Sequence, residues 1–315
     1  MNRTAIIFGI KGYKLTIKEK KFLFKTKPWG IILFSRNIKD INQLKELTTS
    51  IKNIFKCKHY PILIDQEGGK VSRLNSILDL SIFSQSFFLG LYKKDKKLFK
   101  ALYQNYINVT CDILNTVGVN INTSPVLDVK RKITHNVIGT RSFSTNVLEI
   151  IKLGNLYIDH YKKKKIATVI KHIPGHGLSK FDTHFKKPII NAKKEELIKK
   201  DFKPFLKCKS LFAMTCHAIY SKYDSVNTAT HSKIIIKNVI RNHIRFKGIL
   251  ISDDISMKSL SYTLEENAVR AIKAGCNLVL HCNGNIKEMS KLSKVIPKID
   301  IFTQKKTEQF FKFLG

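Results

Sequence analysis

The sequence predicts an α/β chain folded as a single (β/α)8 TIM-barrel domain over residues 1–315, and three observations carry that expectation. Eight short apolar, β-branched runs recur along the chain, longer amphipathic stretches lie between them, and charged residues gather where the runs end. The runs are Ala5 to Gly9, Gly30 to Phe34, Pro61 to Asp65, Val119 to Pro125, Ala167 to His172, Leu211 to His217, Gly248 to Asp253 and Asn277 to Cys282. Near-continuous apolar strands of this kind suit a parallel sheet covered on both faces. Helical periodicity fills the gaps, including Ile41 to Phe55, Phe99 to Val117, Asn146 to Lys164, Lys193 to Lys207, Ser232 to Ile244 and Leu264 to Ala274. A doubly wound open sheet would give a similar alternation, so the strand ends matter more than the count. Asp65 ends the third run, Lys171 and His172 the fifth, His217 the sixth, and Asp253 with Asp254 the seventh. Charges there are expensive unless solvent or a ligand receives them, which marks this rim as the candidate site.

Composition narrows the function classes. A hydrophobic content of 43% suits one large core, and no repeat, low-complexity tract or Pro/Gly-rich linker marks a second domain. The six scattered cysteines show no CxxC spacing, so they read as reduced core thiols and neither a metal nor a disulfide framework is expected. The apolar run Thr4 to Ile10 leads into Gly-Tyr-Lys and reads as a first strand, not a signal peptide. No stretch approaches the roughly 20 apolar residues that cross a bilayer, and a cytoplasmic location is the simplest expectation. The formal charge of +34 raises nucleic-acid binding as an alternative. Its lysines are spread through every connecting segment and no recognition motif accompanies them, so a solvated basic surface is expected instead.

Two segments carry candidate chemistry. Lys171-His172-Ile173-Pro174-Gly175-His176-Gly177, followed by Asp182-Thr183-His184, packs three histidines into a glycine-bearing stretch at a strand end. Lys171 and His172 can donate hydrogen bonds to hydroxyl groups, while Asp182, two residues from His184, can orient and polarise its imidazole. In Ile249-Leu250-Ile251-Ser252-Asp253-Asp254, an apolar strand runs straight into two carboxylates. Successive strand residues face opposite ways, so both cannot meet one reacting atom. Asp253 is assigned to the chemistry, and Asp254 or Ser256 to capping the next segment of chain.

At this point the sequence resembles a known group, the bacterial β-N-acetylhexosaminidases of glycoside hydrolase family three, which trim N-acetylglucosamine from peptidoglycan fragments. The resemblance runs through Trp29-Gly30-Ile31-Ile32-Leu33-Phe34-Ser35-Arg36-Asn37, Asp65-Gln66-Glu67-Gly68-Gly69-Lys70-Val71-Ser72-Arg73-Leu74 and Ser124-Pro125-Val126-Leu127-Asp128. It continues in Ile138-Gly139-Thr140-Arg141-Ser142-Phe143, the KHIPGHG stretch with its DTH, Met214-Thr215-Cys216-His217 and Ser252-Asp253-Asp254-Ile255-Ser256-Met257. The resemblance implies Asp253 as nucleophile, His184 as acid/base with Asp182 as its partner, and Asp65, Arg73, Arg141, Lys171 and His172 as sugar ligands. It makes Glu67 structural. Thr183, Ile173, Cys216 and Asn277 depart from the usual pattern, yet none removes a catalytic group.

The implied reaction is exo-hydrolysis, with retention, of terminal β-linked N-acetylglucosamine, joined to 1,6-anhydro-N-acetylmuramic acid with or without peptide, in cell-wall recycling. Retaining glycosidases ordinarily use two carboxyl groups, whereas here a histidine would replace one of them. Because an imidazole does not repel phosphate as a glutamate would, phosphorolysis is the alternative outcome, and a non-catalytic basic binding protein is the alternative class. A monomer acting on a small carbohydrate is expected, with no cofactor, no metal, no specific nucleic acid and no membrane partner.

Overall fold

The computed structural model describes residues 2–135, 138–179 and 187–315. Eight parallel strands close into a barrel in which every strand pairs with its sequence neighbours and the last pairs with the first. They are β1 (Thr4–Gly9), β2 (Pro28–Leu33), β3 (Ile62–Ile64), β4 (Ile121–Asn122), β5 (Ala167–Ile173), β6 (Phe212–Thr215), β7 (Ile249–Asp254) and β8 (Leu278–His281). The register closes through Ile7 opposite both Gly30 and Leu280, Leu63 opposite Ile121, Val169 opposite Phe212, and Met214 opposite Ile251. This is the barrel that the sequence predicts, and the open sheet is excluded because no strand edge of the barrel is left unpaired.

All eight runs form strands, but β3 and β4 are shorter than their apolar runs. Asp65 lies just past β3, where it can turn toward the barrel mouth, and Thr123 to Pro125 continue past β4 with backbone bonds to Ile64 on one side and to Val169 and Lys171 on the other. The long helices fall within a few residues of the expected ones because their ends are written in side chains. Asp40, Asp95 and Asn146 each accept from a backbone N–H in the first turn, and Thr263 with Glu266 forms a capping box. The stretch read as one helix from Lys193 to Lys207 is instead broken. A wider i→i+5 turn over Leu197–Asp201 separates two short α-helical pieces, and Pro204, which has no N–H, opens the second. Residues Ile235–His243 are also wound with i→i+5 bonds. A two-stranded pair, Ile189–Ile190 with Ile219–Tyr220, lies outside the barrel and was not expected.

The core lies inside the barrel and between it and the helical ring. Trp29 on β2 is fully buried, meets Phe212 edge-on at 5.7 Å, and donates its indole N–H to Thr307 Oγ1 at 2.9 Å. That bond ties the C-terminal helix Ile301–Leu314 to the barrel, so the last helix seals the second strand. All six cysteines are unpaired, and burial raises the thiols of Cys111, Cys208, Cys216 and Cys276 to about 12. No helix among the described residues is long and apolar enough to cross a membrane. Removing the indole in Trp29→Ala should destabilise the chain by about 3–5 kcal/mol, the range for large core truncations, read as a lowered denaturant midpoint. A midpoint equal to wild type would mean that this seam does not hold the barrel together.

Candidate active site

The pocket opens at the carboxyl ends of the strands, with a volume of about 190 Å³. Its lining includes Asp65, Arg73, Arg141, Lys171, His172 and Asp253, so six residues singled out in the sequence come together on one surface. Asp182 and His184 lie outside the described residues.

The floor is an ion network. Asp65 accepts from Thr123 Oγ1 at 2.8 Å and Lys171 Nζ at 2.5 Å through one carboxylate oxygen, and from Arg73 Nη2 at 2.9 Å through the other. Glu67 takes Arg141 in a two-pronged grip, Nε at 2.8 Å and Nη2 at 2.7 Å, and also receives Lys171 Nζ at 2.5 Å. Lys171 therefore bridges two carboxylates while only 2% exposed, and Glu67 is equally hidden. Burial pushes both carboxyls up, but the cations outweigh it: Lys171 and Arg73 hold Asp65 well below the usual carboxylate range, and Arg141 and Lys171 do the same for Glu67. Burial acts against the charge on Lys171 and Arg141 too, and their carboxylate partners reverse it, raising both. Two carboxylates thus face three cations, leaving one net positive charge at the floor.

A second anchor is Asp128, fully buried at the end of the Ser124–Asp128 motif. Its Oδ2 meets His172 Nδ1 at 2.7 Å, and its Oδ1 accepts the backbone N–H groups of His172 and His176 at 3.2 and 2.7 Å. Burial raises this carboxyl, but His172 and the His176 N–H turn the net shift downward. Asp128 thereby fixes the tautomer and orientation of His172, leaving Nε2 of that ring for the pocket. His176 is buried, and desolvation lowers its imidazole to about 4, so it is neutral near pH 7. Asp128, His172 and His176 together offer three donor atoms within 4.8 Å of one another, a spacing that could hold a metal ion, although Asp128 already spends both oxygens on hydrogen bonds.

Glycines let this segment come so close. Gly175 has φ +138°, a region that favours glycine, and a Cβ there would stand 2.8 Å from the carbonyl oxygen of Asp201. At Gly177 a Cβ would stand 1.9 Å from the carbonyl oxygen of Val129. Beneath them, Asp201 pairs with Arg131 at 2.7 Å, yet burial dominates and raises its carboxyl to about 6.

The two neighbouring aspartates have different surroundings. Asp254 accepts from the Ser256 N–H at 3.1 Å and the Ser256 hydroxyl at 2.8 Å, which commits its carboxylate to the turn. Asp253 is half-buried, and among the described residues its carboxylate accepts one hydrogen bond, from the N–H of Asp254 at 2.8 Å. Burial raises Asp253, but His217, His172, that N–H and Lys171 outweigh it, so the group is ionised near pH 7. An ionised carboxylate with one oxygen uncommitted, beside a net positive floor, is suited to attack an electron-poor carbon. Sequence reasoning gave Asp128 and His217 no role. The position of His217 at the end of the sixth apolar run places it on the candidate rim, but nothing local in the sequence says what its ring would bond.

Asp65, Glu67 and Asp128 all titrate below their ordinary values, so the folded chain binds fewer protons than the unfolded one in the ordinary carboxylate range. Their contribution is present above that range and is lost as the pH falls through it. Thermal unfolding should therefore collapse on acidification below about pH 5. Glu67→Gln, which leaves Arg141 and Lys171 facing each other, should lose about 3–5 kcal/mol at neutral pH and show a shallower acid slope. A pH-independent midpoint in wild type would contradict the network.

Comparison with known proteins places this geometry. Residues 8–311 match the glycosyl hydrolase family 3 N terminal domain. A protein named "Beta-hexosaminidase" from Psychromonas ingrahamii is 34% identical over 296 residues, covering 92% of this chain and 86% of its own length. The structure of NagZ from Neisseria gonorrhoeae in complex with N-trifluoroacetyl-D-glucosamine superposes with a TM-score of 0.87 at 28% identity, covering 98% of this chain and 90% of that one. A fungal multi-domain β-N-acetylglucosaminidase matches with a TM-score of 0.85 at 25% identity, but this chain spans only 39% of its length. A closed barrel, a match over nearly the whole chain and a relative above 30% identity lead to one conclusion: the chain belongs to glycosyl hydrolase family 3.

Proposed function

We propose that this glycoside hydrolase of the β-hexosaminidase type is a retaining exo-β-N-acetylglucosaminidase that removes terminal β-linked N-acetylglucosamine from peptidoglycan fragments during cytoplasmic cell-wall recycling. The observation that carries the catalytic part is Asp253, whose carboxylate stands in the pocket, ionised, with one backbone hydrogen bond and, among the described residues, no cation pair. Its neighbours Asp65, Glu67 and Asp128 are each committed to cations or histidine. The pocket volume suits one terminal sugar, which favours exo-cleavage. The resemblance of relatives supports the amino sugar, because the gonococcal protein was solved with an N-acylglucosamine analogue.

In this reading Asp253 attacks the anomeric carbon as the glycosidic C–O bond breaks, and the imidazolium of His184 gives its proton to the leaving oxygen. Neutral His184 then takes a proton from water, whose oxygen displaces Asp253 and restores the β-configured anomeric centre. Asp182 stabilises the imidazolium at each turn. Asp65, Arg73, Arg141, Lys171 and His172 bind the hydroxyls, with the first four already held rigid by their ion pairs. Such prior ordering reduces the entropy lost when substrate binds.

Release of a chromophore from a β-N-acetylglucosaminide and from the matching glucoside tests the reading. The acetamido sugar should be cleaved and the glucoside spared. Asp253→Ala should nearly abolish turnover, while His184→Ala should slow it roughly 10²–10⁴-fold. Running the assay in phosphate and in a neutral buffer identifies the acceptor, since a sugar 1-phosphate product would replace hydrolase by phosphorylase. Full activity in Asp253→Ala would overturn the assignment.

A further inference from the structure

We infer that His217 is a positioning residue that holds the nucleophile in register through the main chain of Asp254. It lies two residues past the end of β6, is 1% exposed, and borders the pocket beside Asp253. Its Nε2 is 3.0 Å from the carbonyl oxygen of Asp254 and its Nδ1 is 2.7 Å from Thr230 Oγ1. A carbonyl only accepts, so Nε2 carries the proton and, in the neutral ring, Nδ1 accepts from the Thr230 hydroxyl, whose other acceptor, the Cys216 carbonyl oxygen, is farther away at 3.1 Å. Thr230 in turn lies 2.8 Å from Thr215 Oγ1, which can donate to it. Thr215 and Thr230 are both fully buried, so water does not compete for these bonds.

The chain of donors therefore runs from Thr215 on β6 through Thr230 and His217 to the carbonyl of Asp254 on β7. Asp254 is the residue whose own N–H donates to Asp253 Oδ1 at 2.8 Å. Holding its carbonyl, together with the Met257 N–H that donates to the same oxygen at 3.2 Å, fixes the peptide on the C-terminal side of Asp254; the N–H that orients the nucleophile's carboxylate belongs to the preceding peptide and is steadied through the Asp254 Cα that the two share. The Asp254 side chain clamps the same point from the other side through Ser256. Burial lowers the His217 imidazole, opposed by Asp253, which favours the neutral ring this pattern needs. His217 itself need not touch substrate: it acts through Asp254, and its loss lets Asp253 drift from the line of attack. A displacement on the order of 1 Å at a reacting group costs roughly 10²-fold in rate.

The inference rests on Asp253 being the nucleophile, so the experiment includes Asp253→Ala. His217→Leu removes the donor at nearly constant volume, whereas His217→Gln can place an amide N–H near the position of Nε2. The expected result is a roughly 10–10²-fold lower kcat for His217→Leu with KM changed less than about threefold, and recovery of most of that loss in His217→Gln. Thr230→Val should lower kcat in the same sense and Thr230→Ser should recover it, a pair that remains informative if His217→Leu does not fold. The double variant His217→Leu with Thr230→Val should lose no more than the worse single change, because both break one chain. Loss appearing in KM rather than kcat, equal kcat in Leu and Gln variants, or equal kcat in Thr230→Val and Thr230→Ser would each overturn the positioning role. Retained turnover in Asp253→Ala would instead overturn the catalytic reading on which it rests.

Discussion

The structure depends on one constraint: charges buried beneath the mouth of the barrel must be paired there. Lys171 leaves β5 almost fully buried, where an isolated ammonium would not stay charged, and it is kept by Asp65 and Glu67 together. Glu67 in turn fixes Arg141 with two bonds, and Asp65 fixes Arg73. Buried ion pairs add little net stability when intact, but each partner becomes a severe liability when the other is lost. What they supply here is rigidity, since polar side chains from widely separated segments are held in one geometry before any ligand arrives.

The same network separates the roles of the carboxylates. The acids at the strand ends range from fully buried Asp128 to half-buried Asp253, and their partners distinguish them further. Asp65 and Glu67 are consumed by cations, Asp128 by His172 and the His176 main chain, and Asp254 by the turn through Ser256. Asp253 keeps an oxygen facing the pocket because its neighbours supply charge without occupying it. Ser252, just before it, accepts the N–H of Leu280 on β8 through its hydroxyl, which locks the strand carrying both aspartates.

Much of this was legible in the residues. Fully buried strands read as unbroken apolar runs, so the barrel followed from Ile6, Ile7 and Phe8, from Ile62 to Ile64, and from Ile249 to Ile251, and the site from the charged residues that terminate such runs. Helix starts at Asp40 and Asn146 were legible because a cap is a local hydrogen bond, whereas the helix capped by Asp95 begins at Lys96, three residues before the expected Phe99. The broken segment at Leu197–Asp201 was not, because amphipathic spacing does not distinguish an i→i+4 from an i→i+5 ladder over one turn. The pair Ile189–Ile190 with Ile219–Tyr220 rests on a long-range contact between very short segments and left no periodic trace. The role of His217, though not its place on the rim, was hidden for a related reason: its partners, Thr230 and Asp254, lie 13 and 37 residues away.

The central claim is that, among the described carboxylates crowded at this barrel mouth, Asp253 alone is available to form a bond with the sugar. It is tested most directly by incubating the protein with a fluorinated N-acetylglucosaminyl fluoride, whose glycosyl-enzyme turns over slowly, and mapping the added sugar mass by peptide sequencing. The label is expected on Asp253. A label on Asp254 or Asp65, or active enzyme that consumes the reagent without any covalent adduct, would contradict the claim.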